Sequence, residues 1–463
     1  MNAPQTVGPA PDIELIQYAS RMAGLEDLPI GRTEIELSAP GADLVLADDL
    51  RTATKILALI RLHSYPVGVA LLDGRFGLSW QAHAPAVWAA LGGEVNRHLA
   101  ADGRPPVDSL AELVLTTDAP TLPKCLQRRE SVLAAAPFAT VAVATRNRPD
   151  SLQGCLEALL RLSYPSYEIV VVDNDPTTDE TANMVKETFG PRVRYIRENR
   201  RGVASAHNCA LEAARGEFVA FVDDDVVVDT HWLTGIAEGF AAGDDVGCVT
   251  GLILPAELVT PAQLLLEKHG GFDKGFEQRV FDTGRNRPQD KLFPFTAGRL
   301  GSGANMAFHT AKLRRLGGFD VALGIGTFAR GGDDLAGFFQ VVVAGHQLVY
   351  QPGAVAWHRH HREMAALQNQ SYGYGMGLGA FLASSLWKNP RMLVQVVRRL
   401  PSGFSYAFSD SSARNEGRYD GWPPELARLE RRGLLLGPGA YAVSRWRARR
   451  RPVSDKAVDA RQG

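Results

Sequence analysis

From about residue 138 onward, short apolar runs alternate with segments whose apolar positions recur every three to four residues, the signature of strands alternating with helices. The run 140–144 is followed by 149–160, where Leu152, Cys155, Leu156, Leu159 and Leu160 share one helical face and Pro149 and Asp150 give a helix start. A second unit has a strand at 168–172, a loop at 173–178 and a helix ended by Gly190 and Pro191. A third strand lies at 193–197. The helix 203–214 then leads through Gly216 into a buried strand at 217–222 that stops on three adjacent aspartates. Repeated units of this length predict an α/β, doubly wound, mostly parallel sheet with helices on both faces, whose ligands gather outside the carboxyl ends of the strands.

The pattern differs on either side of this stretch. Residues 1–136 predict a small α+β region with strands at 33–37 and 67–72 and a helix at 85–99, where Trp88, Leu91, Val95 and Leu99 form the buried stripe. Residues 363–463 predict a helical extension, with helical runs at 390–400 and 425–436, that ends in a polar tail. Three regions result, 1–136, 137–362 and 363–463, in keeping with a chain of 463 residues.

Composition narrows the picture little. With 50 basic and 51 acidic residues the chain is nearly neutral, so nothing global points to nucleic acid. Cys125, Cys155, Cys209 and Cys248 show no Cys-x-x-Cys spacing and are expected to be reduced thiols of a cytoplasmic protein. His63, His83 and His98 lie far apart with no companion ligands at metal spacing, and are expected to be structural or exposed. The first twenty residues lack the basic start and apolar core of a signal peptide. The apolar stretch 372–387 is interrupted by Gly373, Gly375, Gly377 and Gly379 and is shorter than the roughly 18–20 residues that cross a bilayer. Arg445, Arg447, Arg449, Arg450 and Arg451 interleave with Trp446, so either a solvated tail or peripheral contact with the inner face of a membrane is expected there.

The candidate chemistry falls at the predicted strand ends. Thr145, Arg146, Asn147 and Arg148 follow the first strand, and Asp173, Asn174 and Asp175 follow the second, where a carboxylate can accept from a base N–H or a ribose hydroxyl. No Gly-x-Gly-x-x-Gly follows the first strand, which favours a mononucleotide. Asp223, Asp224 and Asp225 repel one another unless a cation joins them, and a hard divalent ion such as Mg²⁺ or Mn²⁺ would bind both carboxylates and a diphosphate.

Five segments together resemble the family 2 glycosyltransferases, which have the GT-A fold. They are VAVATRNRPDSLQGCLEAL from Val141, YPSYEIVVVDNDPTTD from Tyr164, GVASAHNCALEAARGEFVAFVDDD from Gly202, GSGANMAFHTAKLRRLGGFD from Gly301 and GGDDLAGFFQVVVAGHQLVYQP from Gly331. The likeness covers about half of the chain, residues 138 to about 361, and the pattern is similar to actinobacterial-type members with an extra N-terminal region. It implies that Thr145, Arg148 and Asp173 lie around the nucleotide, with Asp223 and Asp224 beside it. Asp223 and Asp225 are then the outer carboxylates of an Asp-x-Asp metal motif, and His358 completes the metal shell. Asp334 is the implied catalytic base and Asp333 its neighbour at the acceptor side. His207 stands where such members usually have Arg.

The expected activity is inverting, divalent-metal-dependent transfer of a hexosyl group from a nucleotide-diphosphate sugar to an acceptor hydroxyl, as in cell-envelope polysaccharide, glycolipid or metabolite glycosylation. A UDP- or dTDP-sugar is the expected donor, with a GDP-sugar the alternative; the acceptor is a glycan, a lipid-linked molecule or a small molecule. One base and one cation suffice for such a transfer. Two rivals make different demands. A sugar-1-phosphate nucleotidyltransferase needs a glycine-rich basic loop after the first strand, and a silent carbohydrate-binding relative has no use for acids at both 223–225 and 333–334. The glycine-rich segments 298–305 and 324–332 are expected to border the donor sugar or the acceptor, the first leading into a helix and the second ordering over bound donor. Trp232 is expected in the core.

Overall fold

The computed structural model describes residues 23–116, 121–269, 272, 274–394, 399 and 422–450. A three-stranded sheet opens the chain: β1 (Gly31–Glu36) pairs parallel with β2 (Lys55–Leu62), which pairs antiparallel with β3 (Tyr65–Asp73). The helix Trp80–Ala101 covers it, burying Val87, Leu91, Val95 and Leu99 against Ile56, Ile60 and Leu72. β2 had no counterpart among the expected strands. Its sequence, KILALIRL, is apolar almost throughout and buried from its second residue onward, so it shows no period-two alternation to read.

The large sheet begins with β4 (Ala139–Thr145), β5 (Tyr167–Asn174), β6 (Val193–Glu198) and β7 (Phe218–Asp223). It continues through β8 (Val226–Val228), β9 (Val246–Pro255), β10 (Arg279–Phe281), β11 (Asn305–His309) and β12 (Gln347–His358). The spatial order is β10-β12-β9-β11-β7-β4-β5-β6, with β8 attached to β12. β6, β5, β4 and β7 are mutually parallel, as the strand-and-helix repeat implies. The far half is mixed, because β11 runs antiparallel to both β7 and β9. Segment 298–305 therefore leads into a strand, β11, and not directly into a helix.

Alternate residues of the central strands serve opposite cores. Val141, Val143 and Val171 join Leu152, Leu156 and the fully buried Trp232 on one face. Ala142, Val170, Val172 and Phe221 join Ala206, Phe308 and Phe338 on the other. Helices thus cover both faces, which is the α/β architecture expected of the GT-A type.

The C-terminal extension is a helical hairpin, Met364–Lys388 against Pro424–Arg450. Of the glycines in 372–387, Gly375 and Gly379 line the seam between these helices, while Gly377 abuts the turn at Gly331 and Gly332. A Cβ on Gly375 would lie 1.9 Å from the Glu430 carbonyl oxygen, and one on Gly437 would lie 2.6 Å from that of Met376. Among the described residues no helix is long and apolar enough to cross a membrane. Most of the helical run expected at 390–400 lies outside the described residues, apart from the short turn Pro390–Met392, and so do Arg451 and the polar end.

Candidate active site

Strand register builds the site. β7 runs out at Asp223, beside Ala144 of β4, and the turn 223–225 returns the chain into β8. There Val226 pairs with His358, the last residue of β12, and the Arg359 amide donates to the Asp225 carbonyl at 3.1 Å. His358 is thereby delivered to the acid turn from 133 residues away in sequence. Ligand atoms of Asp223, Asp225 and His358 all lie within 4.8 Å of one another.

Asp224 points elsewhere. Its Oδ2 accepts from Thr145 Oγ1 at 2.7 Å and its Oδ1 from Arg148 Nη1 at 2.6 Å, while Arg148 Nη2 donates to Asp225 Oδ2 at 3.0 Å. Thr145, Arg148 and Asp224 thus fasten the end of β4 to the acid turn. Burial lifts the Asp224 carboxyl to about 7 against the pull of Arg148, with Asp225 adding to the rise. At Asp225 burial also opposes charge, but the His358 and Arg148 contacts outweigh it and hold the carboxyl well below the usual range.

Asp225 Oδ1 lies 3.3 Å from His358 Nε2 yet is buried without a hydrogen bond among the described residues. Such an oxygen, beside a second carboxylate and an imidazole nitrogen, is the donor set that a Mg²⁺ or Mn²⁺ ion accepts. The residues therefore fit the cation. His358 Nδ1 is 3.0 Å from His360 Nδ1, and His360 Nε2 is 2.5 Å from Glu267 Oε1. With a proton on His358 Nδ1 and another on His360 Nε2, this chain points the His358 Nε2 lone pair at the acid turn. Of the neighbouring histidines, then, His358 faces the acids and His360 supports it.

Asp173, at the end of β5, is fully buried. Its Oδ2 accepts from Tyr195 Oη at 2.9 Å, and Oδ1 has no hydrogen-bond partner among the described residues. Burial raises its carboxyl above the ordinary value despite the Tyr195 hydrogen bond. Nearby, Asn174 accepts from the Gly202 amide at 2.8 Å and donates to the Arg200 carbonyl at 2.8 Å, which fixes the following helix to this strand end.

Asp333 and Asp334 open the helix Asp333–Val343 directly after Gly332, whose φ is 84°. A Cβ on Gly332 would come within 2.4 Å of the Gly377 carbonyl oxygen, so the C-terminal hairpin is packed against this turn. Asp334 Oδ2 accepts from the Gly303 amide at 3.0 Å and Oδ1 from the Leu335 amide at 2.8 Å. Burial, then the neighbouring Asp333 charge, raises the Asp334 carboxyl to about 6. His207 lies between the two acid groups. Its ring packs on Phe221 and Phe319 at 4.8 and 5.0 Å, and its Nδ1 is 3.5 Å from Asp333 Oδ2.

The structure thus brings Asp223, Asp225 and His358 together, ties Thr145 and Arg148 to Asp224, and sets Asp173 and Asp333–Asp334 at separate strand and helix ends. Sequence reasoning gave no place to Glu267 or His360, nor to His207 as the neighbour of Asp333. Only the His-x-His spacing hinted at His360, and Glu267 reaches it through tertiary packing alone. A cavity of about 720 Å³ adjoins the 324–332 segment and is lined by Arg200, Arg201, Arg330, Tyr372, Phe328 and Arg447 among others.

Residues 140–302 match the family described as glycosyl transferase family 2. The match is a likeness of that segment, about a third of the chain. Asp333, Asp334 and His358 lie beyond it. The UDP-Glc:alpha-D-GlcNAc-diphosphoundecaprenol beta-1,3-glucosyltransferase WfaP of Escherichia coli is 32% identical over 96 residues, which are 20% of this chain and 36% of that protein. The glycosyltransferase GlyA of Streptococcus pneumoniae serotype 4 is 36% identical over 96 residues, 20% of this chain and 14% of its own. The chain therefore spans little more than a third, or less, of these relatives' length. A mannosyltransferase from Pyrobaculum calidifontis, solved with GDP-Man and Mn²⁺, superposes with a TM-score of 0.40 at 18% identity, covering 72% of this chain and 83% of that one.

Proposed function

We propose that the protein is an inverting glycosyltransferase that moves a sugar from a nucleotide-diphosphate sugar to an acceptor hydroxyl with a divalent cation. The observation that carries this reading is the gathering of Asp223, Asp225 and His358 at the end of the family 2 strands, with a second acid pair, Asp333–Asp334, reached through His207. In this reading the unpartnered Oδ1 of Asp173 accepts from the nucleotide base, and Thr145 and Arg148 hold Asp224 so that the acid turn keeps its shape beside the diphosphate. Asp223, Asp225 and His358 hold the cation, which when bound supplies Lewis-acid compensation for charge on the departing diphosphate.

Asp334 takes the acceptor proton. As the acceptor oxygen bonds to the anomeric carbon, the bond from that carbon to the diphosphate oxygen breaks and the hydroxyl proton passes to the Asp334 carboxylate. The Gly303 and Leu335 amides aim that carboxylate, and a value of about 6 leaves it ionised yet basic at neutral pH. The arginines of the adjoining cavity suit an acceptor with carboxylate or phosphate groups, such as a lipid-linked diphosphate. A UDP- or dTDP-sugar is the donor we favour.

Incubation with a panel of UDP-, dTDP- and GDP-sugars, in Mn²⁺ or in EDTA, tests the reading. Nucleoside diphosphate release in Mn²⁺ from one donor, suppressed by EDTA, is the expected result. Absence of release from every donor overturns it.

A further inference from the structure

A second group of metal-ligating side chains lies in the N-terminal region, where sequence spacing gave no sign of one. His63 occupies the two-residue turn between β2 and β3, with φ of 55°, and Ser64 follows at 68°. Glu36 accepts from both turn amides, at 3.0 and 2.7 Å, which offsets the strain of two left-handed residues and fixes the imidazole. His98 and Asp102 stand four residues apart at the end of the helix Trp80–Ala101, so they share one face. Cys125 is the second residue of the helix Lys124–Ala134, and its amide donates to Asp102 Oδ1 at 2.8 Å. His83, by contrast, is structural as expected, with Nε2 2.8 Å from the Gly77 carbonyl.

The four ligand atoms all lie within 4.8 Å of one another. His63 Nδ1 is 3.3 Å from His98 Nε2, 3.2 Å from Asp102 Oδ2 and 3.6 Å from Cys125 Sγ. His98 Nε2 is 3.4 Å from Asp102 Oδ2. Ligands at about 2.0–2.3 Å from a tetrahedral zinc are separated from one another by roughly 3.3–3.7 Å. Three of these distances therefore already match the edges of such a tetrahedron, and the fourth, from His63 Nδ1 to Asp102 Oδ2, is slightly shorter at 3.2 Å. The Sγ to Oδ2 edge is shorter, 3.0 Å, because the thiol there donates to the carboxylate.

We propose that His63, His98, Asp102 and Cys125 form a structural Zn²⁺ site. On binding, Cys125 releases its proton to solvent. Its thiolate and the Asp102 carboxylate then balance the charge of the cation, so the buried cluster becomes neutral. A thiolate with two imidazoles selects zinc over Mg²⁺ or Mn²⁺, and four protein ligands leave no open position for substrate. Asp102 coordinates through Oδ2 while Oδ1 stays on the Cys125 amide. A cavity of about 480 Å³ reaches His98, Asp102 and Cys125 and gives the ion a way in.

The site clips together three segments, and the last of them touches the catalytic region. Arg129, one helical turn beyond Cys125, stacks on Tyr65 at 4.1 Å and pairs with Glu238 at 3.3 Å, while Tyr65 Oη donates to the same carboxylate. Glu238 belongs to the helix Trp232–Phe240, which follows the acid turn and β8. Zinc thus braces the N-terminal region against the helix behind the donor site, independently of any cation at Asp225.

The test uses the full chain without a polyhistidine tag, loaded with Zn²⁺ and dialysed against metal-free buffer. Elemental analysis is expected to find one equivalent of zinc. Co²⁺ in its place is expected to show tetrahedral visible bands and a thiolate-to-cobalt charge-transfer band. Cys125→Ser, checked for folding by circular dichroism, should abolish that band and weaken zinc binding at least about tenfold, whereas Asp225→Ala keeps both. Zinc lost on dialysis, cobalt bound without the thiolate band, or a band that survives Cys125→Ser overturns the proposal.

Discussion

Among the described residues there are two clusters of potential metal ligands, and they are assembled in opposite ways. At the acid turn, adjacent residues 223–225 supply two carboxylates at the end of a buried strand, and register adds His358. In the N-terminal region no two ligands are neighbours in sequence, and 62 residues separate His63 from Cys125. The first set is oxygen-rich and supplies three ligands, which leaves coordination positions open; the second contains a thiol and two imidazoles and supplies four ligands of its own. An open oxygen-rich set suits chemistry on a diphosphate, whereas a closed set with sulfur suits a brace. Burial alone therefore says less about a cluster than the number of its positions left to the outside.

Substitutions separate the two roles, the largest effect first. Asp334→Asn should lower turnover by roughly 10²- to 10⁴-fold while nucleotide affinity stays near wild type by calorimetry; an active variant would place the base elsewhere. Arg129→Ala removes the cation beside Glu238, whose side chain is 2% exposed and keeps the Tyr65 hydroxyl, and should cost about 3 kcal/mol in urea unfolding. A loss below 1 kcal/mol, on the order of a surface pair, would mean that the brace is not load-sharing with the catalytic region. The pH profile is subtler. Because burial and Asp333 raise Asp334 to about 6, its basic form is lost as pH falls, so kcat/KM should drop about tenfold per unit below that point. A flat profile down to pH 5 would contradict the assignment. Smallest of all, Ser64→Gly removes one left-handed non-glycine residue and should raise stability by up to about 1 kcal/mol; destabilisation would show that the turn is not strained there.

What the sequence disclosed follows the same division. Strands β4 to β7 and their helices were legible because each apolar run is bounded by local start and stop signals, and the acid turn because its residues are contiguous. The mixed half of the sheet was not, since β11 joins β7 and β9 through long-range pairing that leaves no period in the text. β2 escaped for want of alternation, and the glycines of 372–387 read as interruptions, although Gly375 and Gly379 pack against the second hairpin helix and Gly377 against the turn at Gly331 and Gly332. Glu267 behind His360, His207 beside Asp333 and the four N-terminal ligands are products of packing. His63 and His98 look solitary in sequence for that reason alone.

If the acid turn with His358 is a cation-dependent nucleotide site, nucleotide affinity must follow the cation. Calorimetric titration of UDP, dTDP and GDP in Mn²⁺ and in EDTA, with wild type, Asp225→Ala and Cys125→Ser, tests it most directly. One nucleotide should bind in Mn²⁺, binding should be lost in EDTA and in Asp225→Ala, and Cys125→Ser should retain it. Binding of equal strength in EDTA, or in Asp225→Ala, would contradict it.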